Sequence, residues 1–388
     1  MRKPLLTHEI GSLAKPNWRV KALRNLPLTD HDLEEARAWA RRLDLEQDAE
    51  ELFALLAKRE GFTREEKRTL VAWASRFAVR LLEKAGLDVV YDGEQHRVEM
   101  YEYPIRRIQG FEFRGHVRSF DNKYYRKAAV VEKPSVTQPY HLEEYRTIAR
   151  YATRPVKIPI TGAYTLVDWS FDEYYLQRTP IGTAEGLRLR KEARRTFLRD
   201  VAREVIYPNL KALVEAGADF LQIDEPAATT HPDEVPDFVQ ATIDSVGDLK
   251  GRVTFGMHIC FSDYSLLMPH LRELEGIIHE MHFEYANRDS REPGVSPDVR
   301  IGYTKTLNLL KDTRFIVGLG VLDVHTNFIE PVELIRDRIL YALEVIQDPE
   351  RIYVAPDCGL RTRTWDVAFA KLRNMVEAVE QVKAQMGI

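Results

Sequence analysis

RVTFGMHIC (252–260) is an apolar run that stops on two potential metal ligands, His258 and Cys260. It is one of a series. VKIPITG (156–162), ADFLQIDEP (218–226), IIHEMHFEYA (277–286), RFIVGLGVLD (314–323) and RIYVAPDCG (351–359) are also short apolar runs that break at glycine or a polar residue. Continuous apolar character marks strands covered on both faces, as in parallel sheets. Helical segments lie between them, such as 196–217 and 331–346. With further strands near Leu6 and in LDVVYDGE (87–94), the chain holds eight strand–helix units. This predicts an α/β fold, a (β/α)8 TIM barrel forming a single catalytic domain over 1–388. The alternative, an open doubly wound sheet, lacks a GxGxxG after any strand.

Two stretches fall outside the repeat and are expected to be insertions. The first, about 28–86, is polar and helical, with Leu33, Ala36, Ala40 and Leu43, then Leu52, Leu55 and Leu56, at helical spacing. A helix is predicted to open at Thr63 with Glu66 in a capping box and to end at Gly86. The second, about 98–133, is aromatic and basic with alternating character and reads as a β-hairpin. A solvated amphipathic hairpin is the simpler reading of it than a binding surface.

The chain has 388 residues, 44% hydrophobic and 30% charged, with a net charge of −4. These values fit a globular enzyme and argue against bulk attraction to nucleic acid. No stretch has the length of a membrane span or of a signal-peptide core, so the cytoplasm is the expected compartment. Two cysteines do not make a disulfide framework. Their placement points to a metal instead.

In a barrel, functional side chains gather at the C-terminal ends of the strands. Those ends here carry Ser12, Glu94, Asp224, Glu225, His258, Cys260, Glu284, Asp323, His325, Asp357 and Cys358. His258 and Cys260, two apart on an extended chain, project to the same side. With Glu284 and Cys358 they offer one nitrogen, two thiolates and a carboxylate, a donor set suited to Zn2+. H-x-C alone is a weak signal. Its strength comes from both cysteines and a carboxylate falling at strand ends.

The motifs IGS (10–12), DGE (92–94), TLVDWSF (165–171), QIDEPA (222–227), H-I-C (258–260), FE (283–284), LDVH (322–325) and PDCGLRTR (356–363) resemble, in order, those of the catalytic half of cobalamin-independent methionine synthases. The resemblance implies a zinc-dependent methyltransferase that converts homocysteine to methionine, with His258, Cys260, Glu284 and Cys358 as zinc ligands. It implies that Ile10, Ser12, Glu94 and Asp224 hold the homocysteine backbone. It further implies that Asp323 and His325 form a D-x-H whose histidine delivers a proton, and that Trp169 stacks on a pterin.

The long form's N-terminal half has no counterpart here. DEPAATT (224–230) also places Thr230 where the folate-using enzymes have a pterin-binding glutamate. A hydroxyl cannot replace the bidentate pairing of a carboxylate, so the expected donor is methylcobalamin or a corrinoid protein acting as partner. The alternatives are 5-methyltetrahydrofolate or its polyglutamate as donor, methyl or alkyl transfer to coenzyme M, and a non-catalytic zinc scaffold. A sulfonate acceptor would not need Glu94 and Asp224, and a scaffold would not need His325.

Overall fold

The computed structural model describes residues 3–118, 124–177, 180–268 and 270–388. Its strands are β1 (Leu6–Thr7), β2 (Gln109–Arg118), β3 (Tyr124–Ser135), β4 (Lys157–Thr161), β5 (Phe171–Asp172), β6 (Phe220–Asp224), β7 (Thr254–Ile259), β8 (Glu280–Phe283), β9 (Ile316–Gly320) and β10 (Ile352–Ala355). Seven of them form one parallel sheet in the order β1-β10-β9-β8-β7-β6-β4. An eighth segment joins its two ends. The Asp88 and Val89 amides donate to the Thr7 carbonyl at 3.0 and 3.1 Å, while Val90 exchanges bonds with Pro155 and Lys157 at 2.9 Å. The result is the expected (β/α)8 barrel, though its second strand is much shorter than 87–94. Beyond Tyr91 the chain turns through Gly93 and Glu94, both at positive φ, 67° and 62°.

Toward the barrel axis the strands place one apolar layer, Leu6, Val89, Phe220, Ile316 and Tyr353, and beside it a polar one. Lys157 Nζ donates to Gln222 Oε1 at 2.6 Å and meets His8 Nδ1 at 2.9 Å, and His8 Nε2 lies 2.9 Å from Glu280 Oε1. Such groups survive burial because each is paired. Gly318 makes room for this layer, since a Cβ there would fall 2.5 Å from Glu280 Oε1 and 2.6 Å from the Cβ of His282.

The region expected as a helical pair at 28–86 contains three helices, Asp30–Arg42, Glu50–Ala57 and Arg64–Ala85. The first break follows Leu43, where Asp44 takes φ 55° and ends the helix. The third helix has the predicted capping box between Thr63 and Glu66 and a left-handed Gly86 at its end. The second insertion is also displaced from 98–133. Glu102–Ile105 is a helical turn, and the hairpin proper is β2 and β3, antiparallel, with β5 added beside β3. Its tip, 119–123, lies outside the described residues. Among the described residues, no helix is long and apolar enough to cross a membrane.

Candidate metal and substrate site

Parallel register carries the ligand candidates to one rim. Asp224 pairs with His258 across β6 and β7, and His258 with His282 across β7 and β8. One ligand atom from each of His258, Cys260 and Cys358 lies within 4.8 Å of the other two. His258 is 3% exposed, and its Nε2 has no hydrogen-bond partner although it is buried. Glu284 is fully buried, and its Oε1 accepts no hydrogen bond, with His325 Nε2 3.9 Å away. Leaving buried polar atoms unsatisfied is costly unless something else binds them. The clustered nitrogen and two sulfurs, with the Glu284 carboxylate near them but outside the 4.8 Å group, are donor types that suit zinc.

The thiols differ from one another. The bond from Cys260, supported by His258, holds the Cys358 thiol well below its ordinary range against the effect of burial. The same bond and burial push Cys260 well up. A metal ion takes its sulfur ligands as thiolates, so binding one here would release thiol protons. Burial alone would lower the His258 pKa, but the charge of Cys358 and a side-chain bond to it outweigh burial and raise it.

Backbone anchors hold the ligands. Glu284 Oε2 accepts from the Phe261 amide at 2.9 Å and from Asn287 Nδ2 at 3.3 Å. Asp357, next to Cys358, accepts from the amides of Tyr285, Ala286 and Asn287 at 3.0, 3.0 and 2.7 Å. It therefore ties the loop after β8 to the loop after β10. Burial, with Glu284 nearby, pushes the Asp357 carboxyl up to about 7. Glu225 has a similar structural task, accepting from Tyr164 and Thr165 amides at 3.0 and 2.7 Å.

His282 was not among the residues singled out by sequence. Its Nδ1 lies 2.8 Å from His258 Nδ1. The signal was present in IIHEMHFEYA: Glu280, His282 and Glu284 recur with period two, marking a polar face on an otherwise apolar strand.

The expected substrate residues adjoin the cluster. Asp224 Oδ1 accepts from Gln222 Nε2 at 2.6 Å, and the same nitrogen donates to the Ile10 carbonyl at 2.8 Å. Burial raises the Asp224 carboxyl to about 6, and the charge of Glu94 adds to that rise. Ser12 packs so closely on Gly359 that a Cβ there would sit 2.4 Å from Ser12 Oγ. His325 Nε2 is 3.9 Å from Glu284 Oε1, which raises its pKa, and its ring packs at 5.1 Å on Phe261. Asp323 does not reach into the cluster through a described bond. Its Oδ1 accepts from the His325 amide at 2.9 Å, and its own amide donates to Glu330 at 2.8 Å, so it shapes the loop that carries His325.

Trp169 stands apart, on a half-buried aromatic shelf with Tyr101 at 6.2 Å and Tyr125 at 5.7 Å between ring centroids. Tyr125 comes from β3, so the hairpin covers one side of this shelf.

The family model "Cobalamin-independent synthase, Catalytic domain" matches residues 47–381. A methionine synthase of Thermoplasma acidophilum is 36% identical over 390 residues, covering 98% of this chain and 99% of that one. The methionine synthase of Pyrococcus furiosus is 35% identical, covering 100% of this chain and 95% of the relative. The fold is similar to that of a B12-independent methionine synthase from Shewanella sp. W3-18-1 solved with selenomethionine, with a TM-score of 0.73, 23% identity and 99% of each chain covered. The expectation of a methylcobalamin or corrinoid-protein donor conflicts with a family defined as cobalamin-independent. The chain belongs to the cobalamin-independent methionine synthase family and is a methyltransferase.

Proposed function

We propose that this protein is a zinc-dependent methionine synthase that methylates the thiol of homocysteine. The observation that carries the reading is the approach of one ligand atom each from His258, Cys260 and Cys358 to within 4.8 Å of one another, beside the buried carboxylate of Glu284. His258, Cys260, Glu284 and Cys358 would hold the metal. Zinc, when bound there, supplies the charge that keeps a substrate thiol as its nucleophilic thiolate at neutral pH.

The chain's own groups do the rest. Asp224 and Glu94 offer carboxylates to the substrate ammonium through charge-assisted hydrogen bonds. The loop of Ile10 and Ser12, fixed by Gln222 and packed on Gly359, positions the amino-acid backbone. His325, beside Glu284, is placed to hand a proton to the donor as its methyl group leaves. In this transfer a carbon–sulfur bond forms, the donor's bond to the methyl group breaks, and the donor atom takes the proton.

For the donor, the cobalamin-independent family supports 5-methyltetrahydrofolate or its polyglutamate over a corrinoid. The Trp169–Tyr101–Tyr125 shelf offers its flat ring a stacking surface. Thr230 then changes how the ring edge is held rather than which donor is used. Zinc-loaded protein and homocysteine should be offered methyltetrahydrofolate, its triglutamate and methylcobalamin separately. Methionine from a folate supports the assignment. Methionine from methylcobalamin alone overturns the donor, and methionine from none overturns the acceptor.

A further inference from the structure

Homocysteine is a zwitterion, and Asp224 and Glu94 answer only its ammonium group. Its carboxylate calls for a cation, and most cations around the pocket are engaged. Arg97 is paired with Glu144 at 3.0 Å. Arg19 donates to the carbonyls of Gln95 and Arg97. Lys157 donates to Gln222 Oε1 at 2.6 Å and to the Glu9 carbonyl. Lys15 and Arg361 differ from these. Neither has an ion-pair or hydrogen-bond partner for its side chain among the described residues.

Backbone contacts place both residues beside the substrate loop. The Leu13 amide donates to the Gly93 carbonyl at 3.0 Å. The Ala14 carbonyl accepts from Gln95 Nε2 at 3.3 Å and from Trp365 Nε1 at 2.8 Å. Residues 13 and 14 are thus clamped between the loop of Glu94 and the helix Trp365–Met386, and Lys15 follows on a fixed backbone. Arg361 comes just after Gly359, whose added Cβ would sit 2.4 Å from Ser12 Oγ. The two cations therefore flank the contact between Ser12 and Gly359. Lys15 is partly buried there. Burial pulls its amine down to about 8 against the charge of Glu94, and Arg19 and Arg361 add to that fall. Like charges gathered at a partly buried position are unfavourable, and a bound anion relieves them.

We propose that Lys15, assisted by Arg361, receives the α-carboxylate of the acceptor amino acid. With Glu94 and Asp224 on the ammonium, the pocket then grips both charges and selects zwitterionic thiols over simple aminothiols. This rests on the homocysteine reading and adds to it the residue that sets acceptor specificity.

Calorimetric titration of the zinc-loaded full chain with L-homocysteine, and with aminopropanethiol, the same thiol without its carboxylate, tests this without a methyl donor. The parent should bind homocysteine about tenfold or more tightly than aminopropanethiol, the worth of a hydrogen bond between charged groups. K15M should lose that preference by weakening homocysteine alone, with aminopropanethiol bound as in the parent. K15R keeps the charge and should keep the preference. R361Q should reduce it less, because Arg361 is exposed. Parent-like homocysteine affinity in K15M, or an equal loss for both thiols, overturns the assignment of Lys15 and leaves the acceptor reading standing. A parent that binds neither thiol overturns the acceptor reading, and the assignment of Lys15 falls with it.

Discussion

His282 and His258 meet Nδ1 to Nδ1 at 2.8 Å inside the barrel, where both are fully or almost fully buried. Only one of the two nitrogens can carry the proton. Burial, with the charge of His258, keeps His282 well below its ordinary value and therefore neutral, able to accept from His258. His258 Nδ1 is then the donor, which fixes its ring and leaves Nε2 for a metal. His282→Leu should lower zinc affinity by about 10–100-fold, the usual effect of losing such a supporting bond. Competition with a chromophoric chelator measures this, and unchanged affinity would show that His282 is only packing.

Cys358 is the half-exposed member of the thiol pair and arrives from a loop separate from that of Cys260. Cys358→Ser removes one of the three clustered ligand atoms. The expected outcome is loss of stoichiometric zinc after dialysis, with the fold retained because Asp357 still anchors the loop. A variant that holds one zinc and keeps full methyl transfer would refute the four-ligand site.

Gly359 touches the Ser12 backbone as well as its side chain, at 2.4 Å from Oγ and 2.9 Å from the amide nitrogen for an added Cβ. Gly359→Ala must displace the 10–12 loop, and overpacking of this kind costs about 1–3 kcal/mol. With the loop moved, KM for homocysteine should rise more than kcat falls. Equal parent and variant KM values would separate Ser12 from substrate binding.

His325 is half-buried and 3.9 Å from Glu284, without a direct bond to either cysteine among the described contacts. His325→Gln keeps the loop, because the Asp323 carboxylate binds the backbone amide of residue 325 rather than its side chain. Methyl transfer should fall by about 10²–10⁴-fold, the range of general acid catalysis, with zinc content unchanged. A smaller kcat effect together with lost zinc would make His325 a support of Glu284 instead.

The barrel and the metal cluster were legible because apolar runs ended abruptly on His, Cys, Asp and Glu, a pattern that core packing does not require. Thr63, Glu66 and Gly86 were legible for local reasons, since capping depends on residues three apart. The polar lining formed by His8, Lys157, Gln222 and Glu280 was not. They come from four separate segments of the chain, and only closure of the barrel brings them into contact. The bond from the His325 amide to the Asp323 carboxylate, which shapes the loop carrying the histidine, is a matter of backbone geometry that the D-x-H spacing does not encode. The hairpin was displaced because the aromatic pattern of 98–108 continues through a helical turn before β2 begins.

Arg97 and Glu144 form a buried ion pair at 3.0 Å under the loop that carries Glu94. Burial would raise the Glu144 carboxyl, but Arg97 and His141 outweigh it and hold the group well below its ordinary 4.5. The carboxylate's contribution to stability is therefore present above that ordinary value and is lost as pH falls below it. Burial also lowers His141 from 6.5 to about 4, so the unfolded chain binds a proton there that the folded one does not. Between those two values stability falls as the pH is lowered. Both groups work in the same direction, and the melting temperature should decline from pH 6.5 downward, most steeply below pH 4.5. Glu144→Gln should flatten the lower part of that profile. It should also be destabilising at neutral pH, by up to about 3–5 kcal/mol, because the buried Arg97 loses the closer of its two carboxylates and keeps only Glu94 at 3.9 Å. Scanning calorimetry from pH 8 down to about pH 2 checks both statements, and a parallel profile for parent and variant would assign the acid lability to other groups.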